Sequence, residues 1–210
     1  MHQQFLWVNY DKPQYLSSSD FSNEKIRNFA GYTWNPGKCS SALYTLMGDL
    51  WKGDRLILIG QYRDENERNP MVIQMRSRFD DMEYMGNIWY GATLQYENAG
   101  RLFTTSNINE DDEEGTHYIE PVFYRYVLNH TKHEYFYRYN LKSVNNWLNP
   151  LAFLLMNGKG RCGGKYGMWI GDGLEVTNDK GKVKALGYEE MTRVYNYRYF
   201  TNQNPTDKDW

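Results

Sequence analysis

The chain repeats a set of short motifs in the same order, and this repetition limits the folds that it can adopt. Segment 8–16 (VNYDKPQYL) shares Asn, Lys and Tyr in one frame with segment 128–136 (LNHTKHEYF), 120 positions later. Each segment is followed by the pattern W-x-G-D-x-L, at 51–56 and at 169–174. Matched motifs in matched order indicate a duplicated unit. We therefore expect two similar halves, with Trp51 and Trp169 in equivalent surroundings.

The two halves share an order of predicted elements: a hairpin, an apolar helix, the W-G-D turn and a strand. The predicted strands of this shared set are 5–9, 14–16, 55–59, 122–128, 134–139 and 174–177. The apolar helices are predicted to begin at Ser40 and, after the cap residue Asn149, at Pro150. Runs of apolar and aromatic residues at 71–79 and 88–96 predict further strands. The four residues 178–181 (NDKG) predict a hairpin turn between strands at 174–177 and 183–186, and Glu189 opens a predicted last helix.

These elements predict an α+β or α/β fold of two similar halves, rich in sheet and with a few short helices. The first copy spans 1–108, an acidic linker spans 109–117, and the second copy spans 118–210. The acidic side chains of such a run repel one another and stay hydrated, so we expect the linker to separate the copies. We expect both copies to form one compact body.

Aromatic residues are unusually frequent, with 19 Tyr, 9 Phe and 7 Trp, or 17% of the chain. Such residues favour strands, and rings with a polar tip favour interfaces. Rings alternate with cations at 124–126, 135–139 and 195–200, a pattern that also suits stacking on unpaired bases. The formal net charge of −2 lacks the basic excess that general nucleic-acid binding needs, so a single-strand nucleic-acid binder is only an alternative.

The formal net charge of −2 also disfavours binding to anionic membranes. No apolar run reaches the roughly 18 residues of a membrane-spanning helix. The first residues carry no basic and apolar pattern of a secretory signal. Two cysteines, Cys39 and Cys162, cannot build a disulfide framework and are expected as reduced thiols. We therefore expect a cytoplasmic protein.

A glycine-rich loop at 158–165 is the clearest difference between the halves. Met47 and Trp51 are four positions apart, whereas Met156 and Trp169 are 13 apart. Glycines bring backbone N–H groups close to an anion, and the neighbouring cations add positive charge. The loop matches G-x-G-x-x-G, but a helix precedes it and a strand follows, the reverse of a dinucleotide site. A structural connection stays open; otherwise we predict ligand or partner contacts from Lys159, Arg161, Cys162, Lys165 and Tyr166.

Asp54 and Asp172 occupy equivalent positions and are the candidate catalytic residues. If the halves pack about a two-fold axis, the two carboxylates could approach each other and perform acid–base chemistry. Alternatively, each aspartate hydrogen-bonds its own turn. His130 and His133 leave a metal site with Cys39 or Cys162 open, but on a strand they face opposite sides. We predict neither a metal nor a cofactor.

Three elements of the second half, at 129–135, 154–166 and 169–172, resemble an uncharacterised family of small bacterial and phage-type proteins. Members carry N-x-T-K-x-E-Y, a G-R-G-G-G-D-Y loop after an apolar helix, and a W-x-x-D turn. The first half, through 8–12 and 51–60, resembles another common form of that family. This sequence has Cys162 and Lys165 where the family pattern has Gly and Asp. The resemblance implies no activity.

The leading hypothesis is a non-enzymatic binding or regulatory protein in a bacterial or phage-infected cytoplasm. It would recognise a protein partner or a small anionic ligand through the glycine-rich loop and exposed tyrosines, and self-association is left open. The alternative is an enzyme acting on a nucleotide or other phosphate compound, with the basic loop holding the anion and Asp54 or Asp172 as the base. That alternative requires the loop and both carboxylates to line one pocket.

Overall fold

Two sheets of the same topology, one from each half, form the frame of the molecule. The computed structural model describes residues 5–21, 38–61, 69–79, 87–103, 122–138, 150–157 and 167–192. The first half contains β1 (Phe5–Asn9), β2 (Gln14–Ser17), α1 (Lys38–Gly48), β3 (Leu56–Gly60), α2 (Pro70–Ser77), α3 (Ile88–Gln95) and β4 (Glu97–Asn98). The second half contains β5 (Tyr126–Asn129), β6 (Glu134–Tyr137), α4 (Pro150–Leu155), β7 (Met156–Asn157), β8 (Leu174–Thr177), α5 (Lys180–Leu186) and β9 (Glu189–Glu190). Short 3₁₀ turns lie at Ser18–Asp20 and Ala99–Phe103.

The strand order is the same in both sheets. In the first, β1 lies antiparallel between β2 and β3, and β4 runs parallel to β2. In the second, β5 lies antiparallel between β6 and β8, and β9 runs parallel to β6. The first sheet gains a fifth strand from the second half, because β7 pairs parallel with β3. The predicted duplication and the α+β class are therefore confirmed.

The halves meet where their W-G-D turns enter β3 and β8. Arg55 and Gly173, which are equivalent positions, pair in an antiparallel bridge. The Gly53 N–H donates to the Leu174 carbonyl at 2.7 Å, and the Gly171 N–H donates to the Leu56 carbonyl at 3.4 Å. Because equivalent residues face one another in opposite directions, a local two-fold axis passes through this bridge.

One hydrophobic core joins the halves. The inner faces of both sheets cover α1 and α4, and the buried Trp51 and Trp169 lie in the same core. Helix α1 contacts β8 of the other half, and α4 contacts β3 in return. Since α2 and α3 cover the outer face of the first sheet, β1 and β3 are buried on both sides. This burial explains their continuous apolar sequence.

The predicted strands at 71–79 and 88–96 are wrong, because these segments form α2 and α3. Helix capping decided both cases. Asn69 and Asn87 each accept hydrogen bonds from two backbone N–H groups of the first helical turn, and Pro70 occupies the start of α2. Short apolar runs do not distinguish helix from strand by themselves.

The predicted hairpin at 178–181 and the helix expected to open at Glu189 are also wrong. Asp179 accepts from the Lys182 N–H at 3.0 Å and caps α5, which ends before Gly187. Glu189 then pairs with Glu134 at the sheet edge. Tertiary pairing with β6 therefore overrides the local preference of the two glutamates for a helix start. The acidic linker and residues 201–210 lie outside the described residues.

Candidate functional site

The first half contains a hydrogen-bonded clasp of Asn9, Lys12 and Asp54. The fully buried Asn9 amide donates to the Asp54 carboxylate at 2.7 Å. Its oxygen accepts the backbone N–H groups of Asp11 and Lys12, both at 2.9 Å. The Lys12 ammonium contacts Asp54 at 2.6 Å and also donates to the Leu50 carbonyl. The clasp thus ties the β1–β2 turn to the W-G-D turn.

The second half repeats this clasp with Asn129, Lys132 and Asp172. The Asn129 amide donates to Asp172 at 2.7 Å, and its oxygen accepts the N–H groups of Thr131 and Lys132 at 3.0 and 2.9 Å. Lys132 contacts Asp172 and donates to the Met168 carbonyl. The repeated Asn, Lys and Asp letters of the sequence are these residues.

The two tryptophans have matching surroundings, as the duplication predicts. Each is fully buried, and each indole N–H donates to the first residue of the return strand. For Trp51 this is Gln14 at 2.8 Å, and for Trp169 it is Glu134 at 3.1 Å. Features that both halves share in this way belong to the common frame of the fold, so specialised chemistry is expected where the halves differ.

Asp54 and Asp172 are each engaged by the asparagine and lysine of their own half. These bonds tie each aspartate to the hairpin turn of its half, whereas the alternative expected a hydrogen bond within the aspartate's own turn. The shared-pocket hypothesis for an enzyme also requires the glycine-rich loop, and 158–166 lies outside the described residues. The roles of Asp54 and Asp172 in catalysis, and of Lys159, Arg161, Cys162, Lys165 and Tyr166 in binding, therefore stay predictions.

Within the part of the chain that the structure describes, the outer faces of the two sheets differ in polarity. In the first sheet, β3 places Ile57 and Ile59 under α2 and α3. The equivalent residues of β8 are Glu175 and Thr177, both buried. A carboxylate has thus replaced an aliphatic side chain at an internal position. Burying a carboxylate is unfavourable unless it is paired and hydrogen-bonded, so its partners define the candidate site.

Glu175 lies at the centre of a polar group that we call the Glu175 cluster, consisting of Lys52, His130, Glu175, Lys182 and Tyr188. Lys182 from α5 bonds one carboxylate oxygen, and Lys52 from the first half lies 3.6 Å from the same oxygen. His130 Nε2 lies 3.0 Å from the other oxygen. His130 Nδ1 lies 3.0 Å from the Tyr188 hydroxyl. The cluster therefore joins both halves, β8, α5 and the β5–β6 turn.

The charges of the cluster are unequal and unequally exposed. The Glu175 side chain is 5% exposed, whereas those of Lys52, Lys182 and His130 are 50%, 32% and 29% exposed. Burial acts to raise the pKa of Glu175, but hydrogen bonds from Lys182 and His130 and the charges of both lysines outweigh it and lower that pKa. Within the cluster, two lysines against one carboxylate leave a positive excess, which the more exposed side chains carry. Such an excess attracts anions.

Aromatic rings of β5 and β6 lie on the same face of the second sheet as Glu175. His133 stacks on Tyr188 with ring centroids 5.2 Å apart, and Tyr126 stacks on Tyr137 at 5.0 Å. The Tyr135 hydroxyl donates to Glu190 at 3.2 Å. Burial, together with the nearby Glu190 charge, raises the pKa of Tyr135. These rings include part of the predicted aromatic pattern, and Tyr188 contacts both His130 and His133 of the β5–β6 turn.

Sequence reasoning considered His130 only as a metal ligand. Within the described part of the chain, no group of three or more His, Cys, Asp and Glu residues could hold a metal ion. Lys52, Glu175, Lys182 and Tyr188 were missed as site residues. Aligning the two halves would have found Glu175, because it replaces Ile57 in an otherwise apolar strand. Among the described residues, no helix is long and apolar enough to cross a membrane.

Comparisons with protein-family models, with curated proteins and with solved structures found no match. The resemblance to an uncharacterised bacterial and phage-type family therefore stays a prediction. The candidate site rests on the geometry of this chain and on the comparison between its own two halves.

Proposed function

We propose that this is a non-enzymatic binding protein that recognises a small anionic ligand at the Glu175 cluster. The observation that carries the proposal is the replacement of the buried Ile57 of the first half by Glu175, with cationic partners recruited from both halves. We also propose that it acts in a bacterial or phage-infected cytoplasm, and this part of the proposal depends on the sequence alone.

The chemistry of the cluster suits an oxyanion such as a phosphate. Lys52, Lys182 and His130 supply N–H donors, and Tyr188 supplies a hydroxyl. Hydrogen bonds between charged donors and anionic oxygens are stronger than those between neutral groups. Glu175 holds Lys182 and His130 in place, so their orientation is set before a ligand arrives. A bound anion would then balance the excess positive charge.

The glycine-rich loop provides a second predicted set of anion contacts, from Lys159, Arg161 and Lys165. A ligand could contact the loop, the cluster or both. Substitutions in the loop and, separately, in the cluster distinguish these three cases. A protein partner that presents a phosphate or carboxylate would use the same donors. The free ion is the simpler probe, because it reports the site without any other contact surface.

The test is calorimetric titration of the full chain with inorganic phosphate and, separately, with inorganic sulfate. The double variant Lys52→Met and Lys182→Met should weaken binding at least tenfold, because it removes both cations beside Glu175. The matched control is Lys180→Met with Lys184→Met, which changes the same charge at exposed positions of α5. The control should bind like the unaltered chain.

Three results would overturn the proposed site. They are absence of binding of either anion, equal loss in the test and control variants, and loss confined to a chain with alanine at 159, 161 and 165. The last result would assign the anion to the loop. Far-ultraviolet circular dichroism on each variant checks that the fold is retained.

A second candidate function, an enzyme acting on a phosphate compound, is favoured by one observation. Tyr188, His130 and Glu175 form a hydrogen-bonded series in which His130 lies between a hydroxyl and a carboxylate. A base held in this way by a carboxylate can accept a proton from a nucleophile. Release of phosphate from an aryl phosphate that is lost in His130→Gln would support it, and absence of turnover would exclude it for that substrate class.

A further inference from the structure

We infer that anion binding at the Glu175 cluster is coupled to the uptake of one proton by His130. The proton frees the Tyr188 hydroxyl to donate a hydrogen bond to the anion. The inference rests on the proposed function, because it assigns regulation to the same site. It also narrows the ligand to anions that accept hydrogen bonds, since the proton creates a new hydrogen-bond donor. The argument comes from the two contacts of the imidazole.

The partners of His130 fix the direction of its hydrogen bonds in the neutral form. An ionised carboxylate only accepts hydrogen bonds, so the Nε2 that faces Glu175 at 3.0 Å must carry the hydrogen. Nδ1 is then an acceptor, and the Tyr188 hydroxyl at 3.0 Å must donate to it. In this state the hydroxyl hydrogen of Tyr188 is occupied inside the cluster.

Protonation of His130 reverses one of these bonds without moving a heavy atom. Both ring nitrogens then donate, Nε2 to Glu175 and Nδ1 to the Tyr188 oxygen. A phenol oxygen can accept such a bond, so Tyr188 turns its own hydrogen away from the ring. The cluster gains a positive charge and a free hydroxyl donor together. Both favour an anion.

The surrounding charges leave the proton state of His130 open to control by a ligand. Glu175 from β8 favours the protonated ring, whereas Lys182 from α5 and Lys52 from the first half oppose it. His133 of the same turn stacks on Tyr188, and the next residue in the chain, Glu189 of β9, is exposed. An anion that screens the two lysines removes the opposition to the proton. Histidine side chains in general change charge between pH 5 and 8, so the experiment is run in that range.

The experiment uses inorganic sulfate, because it stays a dianion across this pH range and takes up no proton itself. Calorimetric titrations at pH 7.5 in buffers of different ionisation enthalpy give the number of protons bound per sulfate. We expect uptake approaching one proton, and affinity that falls about tenfold per pH unit once the free protein is deprotonated. Tyr188→Phe keeps the ring but removes the freed donor, so it should bind sulfate more weakly at every pH while retaining uptake.

His130→Gln should bind sulfate without proton uptake, and its affinity should no longer depend on pH in this range. The control is the exposed pair Lys180→Met with Lys184→Met, which should retain the uptake. Sulfate binding with no uptake in the unaltered chain, or uptake that persists in His130→Gln, would overturn the inference and leave the proposed function standing. Absence of sulfate and phosphate binding at every pH would overturn both.

Discussion

At the scale of single residues, two fully buried asparagines hold the frame. Asn9 and Asn129 each accept two backbone N–H groups and donate to an aspartate. A buried side chain that satisfies three polar groups cannot be replaced by an apolar one without leaving those groups unpaired. This requirement explains why asparagine recurs in one frame of the two copies while most of its neighbours differ.

We predict that Asn9→Ala and Asn129→Ala each lower the free energy of unfolding by about 1–3 kcal/mol, because each leaves buried polar groups without partners. Urea unfolding followed by tryptophan fluorescence measures both losses. Similar losses are expected because the two clasps have the same geometry. A change below about 0.5 kcal/mol in either variant, the size typical of surface substitutions, would contradict the structural role of that clasp.

Glu175 gives a prediction for the dependence of stability on pH. Its pKa in the folded protein is lowered from the ordinary value of 4.5, so the carboxylate stabilises the fold above that value. This contribution is lost as the pH falls through the folded pKa. The difference in unfolding free energy between the unaltered chain and Glu175→Gln should therefore be constant above about pH 5.5 and shrink on further acidification. Urea titrations from pH 7 to pH 3 measure it.

The control for this prediction is Glu189→Gln, which removes an exposed carboxylate from β9. Its effect on stability should vary less with pH than that of Glu175→Gln. If the effects of the two variants followed the same pH dependence, the buried ion pairs of Glu175 would not be the cause.

At the scale of elements, α5 shows why the sequence pattern alone did not predict the correct secondary structure. The stretch 178–181 has the composition of a turn, which predicted a strand at 183–186 as the second arm of a hairpin. The deciding feature is the Asp179 side chain, which accepts the Lys182 N–H and starts a helix. The helix places Val183 against the outer face of the second sheet and Lys182 against Glu175. Capping therefore sets the position of one binding residue.

Asp179→Ala should destabilise the protein by about 1 kcal/mol through loss of the cap. It should also weaken phosphate binding, because the capped N–H belongs to Lys182 itself. Asp179→Asn keeps a capping oxygen and should preserve both properties. Thermal unfolding and calorimetric titration on the pair check this, and equal behaviour of the alanine and asparagine variants would count against a role for the cap.

At the scale of the whole molecule, the account depends on two halves that share a core about a local two-fold axis. The shared frame was predictable, because the asparagine, lysine and W-G-D residues recur in the sequence. The Glu175 cluster was not, because Lys52 and Glu175 belong to different halves and meet only after folding. Helices α2 and α3 were missed because their apolar runs are too short to show a period.

The equivalent glycines Gly53 and Gly171 test the contact between halves. Both have positive φ, at 79° and 83°, so alanine costs each about 1–2 kcal/mol of backbone strain. A Cβ at Gly53 meets nothing within 4 Å, whereas one at Gly171 would lie 2.6 Å from the sulfur of Met71 in α2. Gly171→Ala should therefore destabilise by about 1 kcal/mol or more beyond Gly53→Ala, through overpacking.

Urea unfolding of both variants, repeated with Met71→Ala present, separates strain from overpacking. Removing the Met71 side chain should reduce the penalty at Gly171 to that at Gly53 and leave the Gly53 penalty unchanged. A Gly171 penalty that persists in this background would show that packing against α2 is not its cause.

The most direct test of anion binding is a nuclear magnetic resonance titration of isotope-labelled protein with inorganic phosphate at fixed pH. We predict saturable shifts that are largest for the backbone amides of His130, Glu175, Lys182 and Tyr188. The equivalent first-half positions Tyr10 and Ile57 should shift little, because that half lacks the cluster. Equal shifts in the two halves, or none at the four cluster positions, would contradict the assignment of the ligand site to the second half.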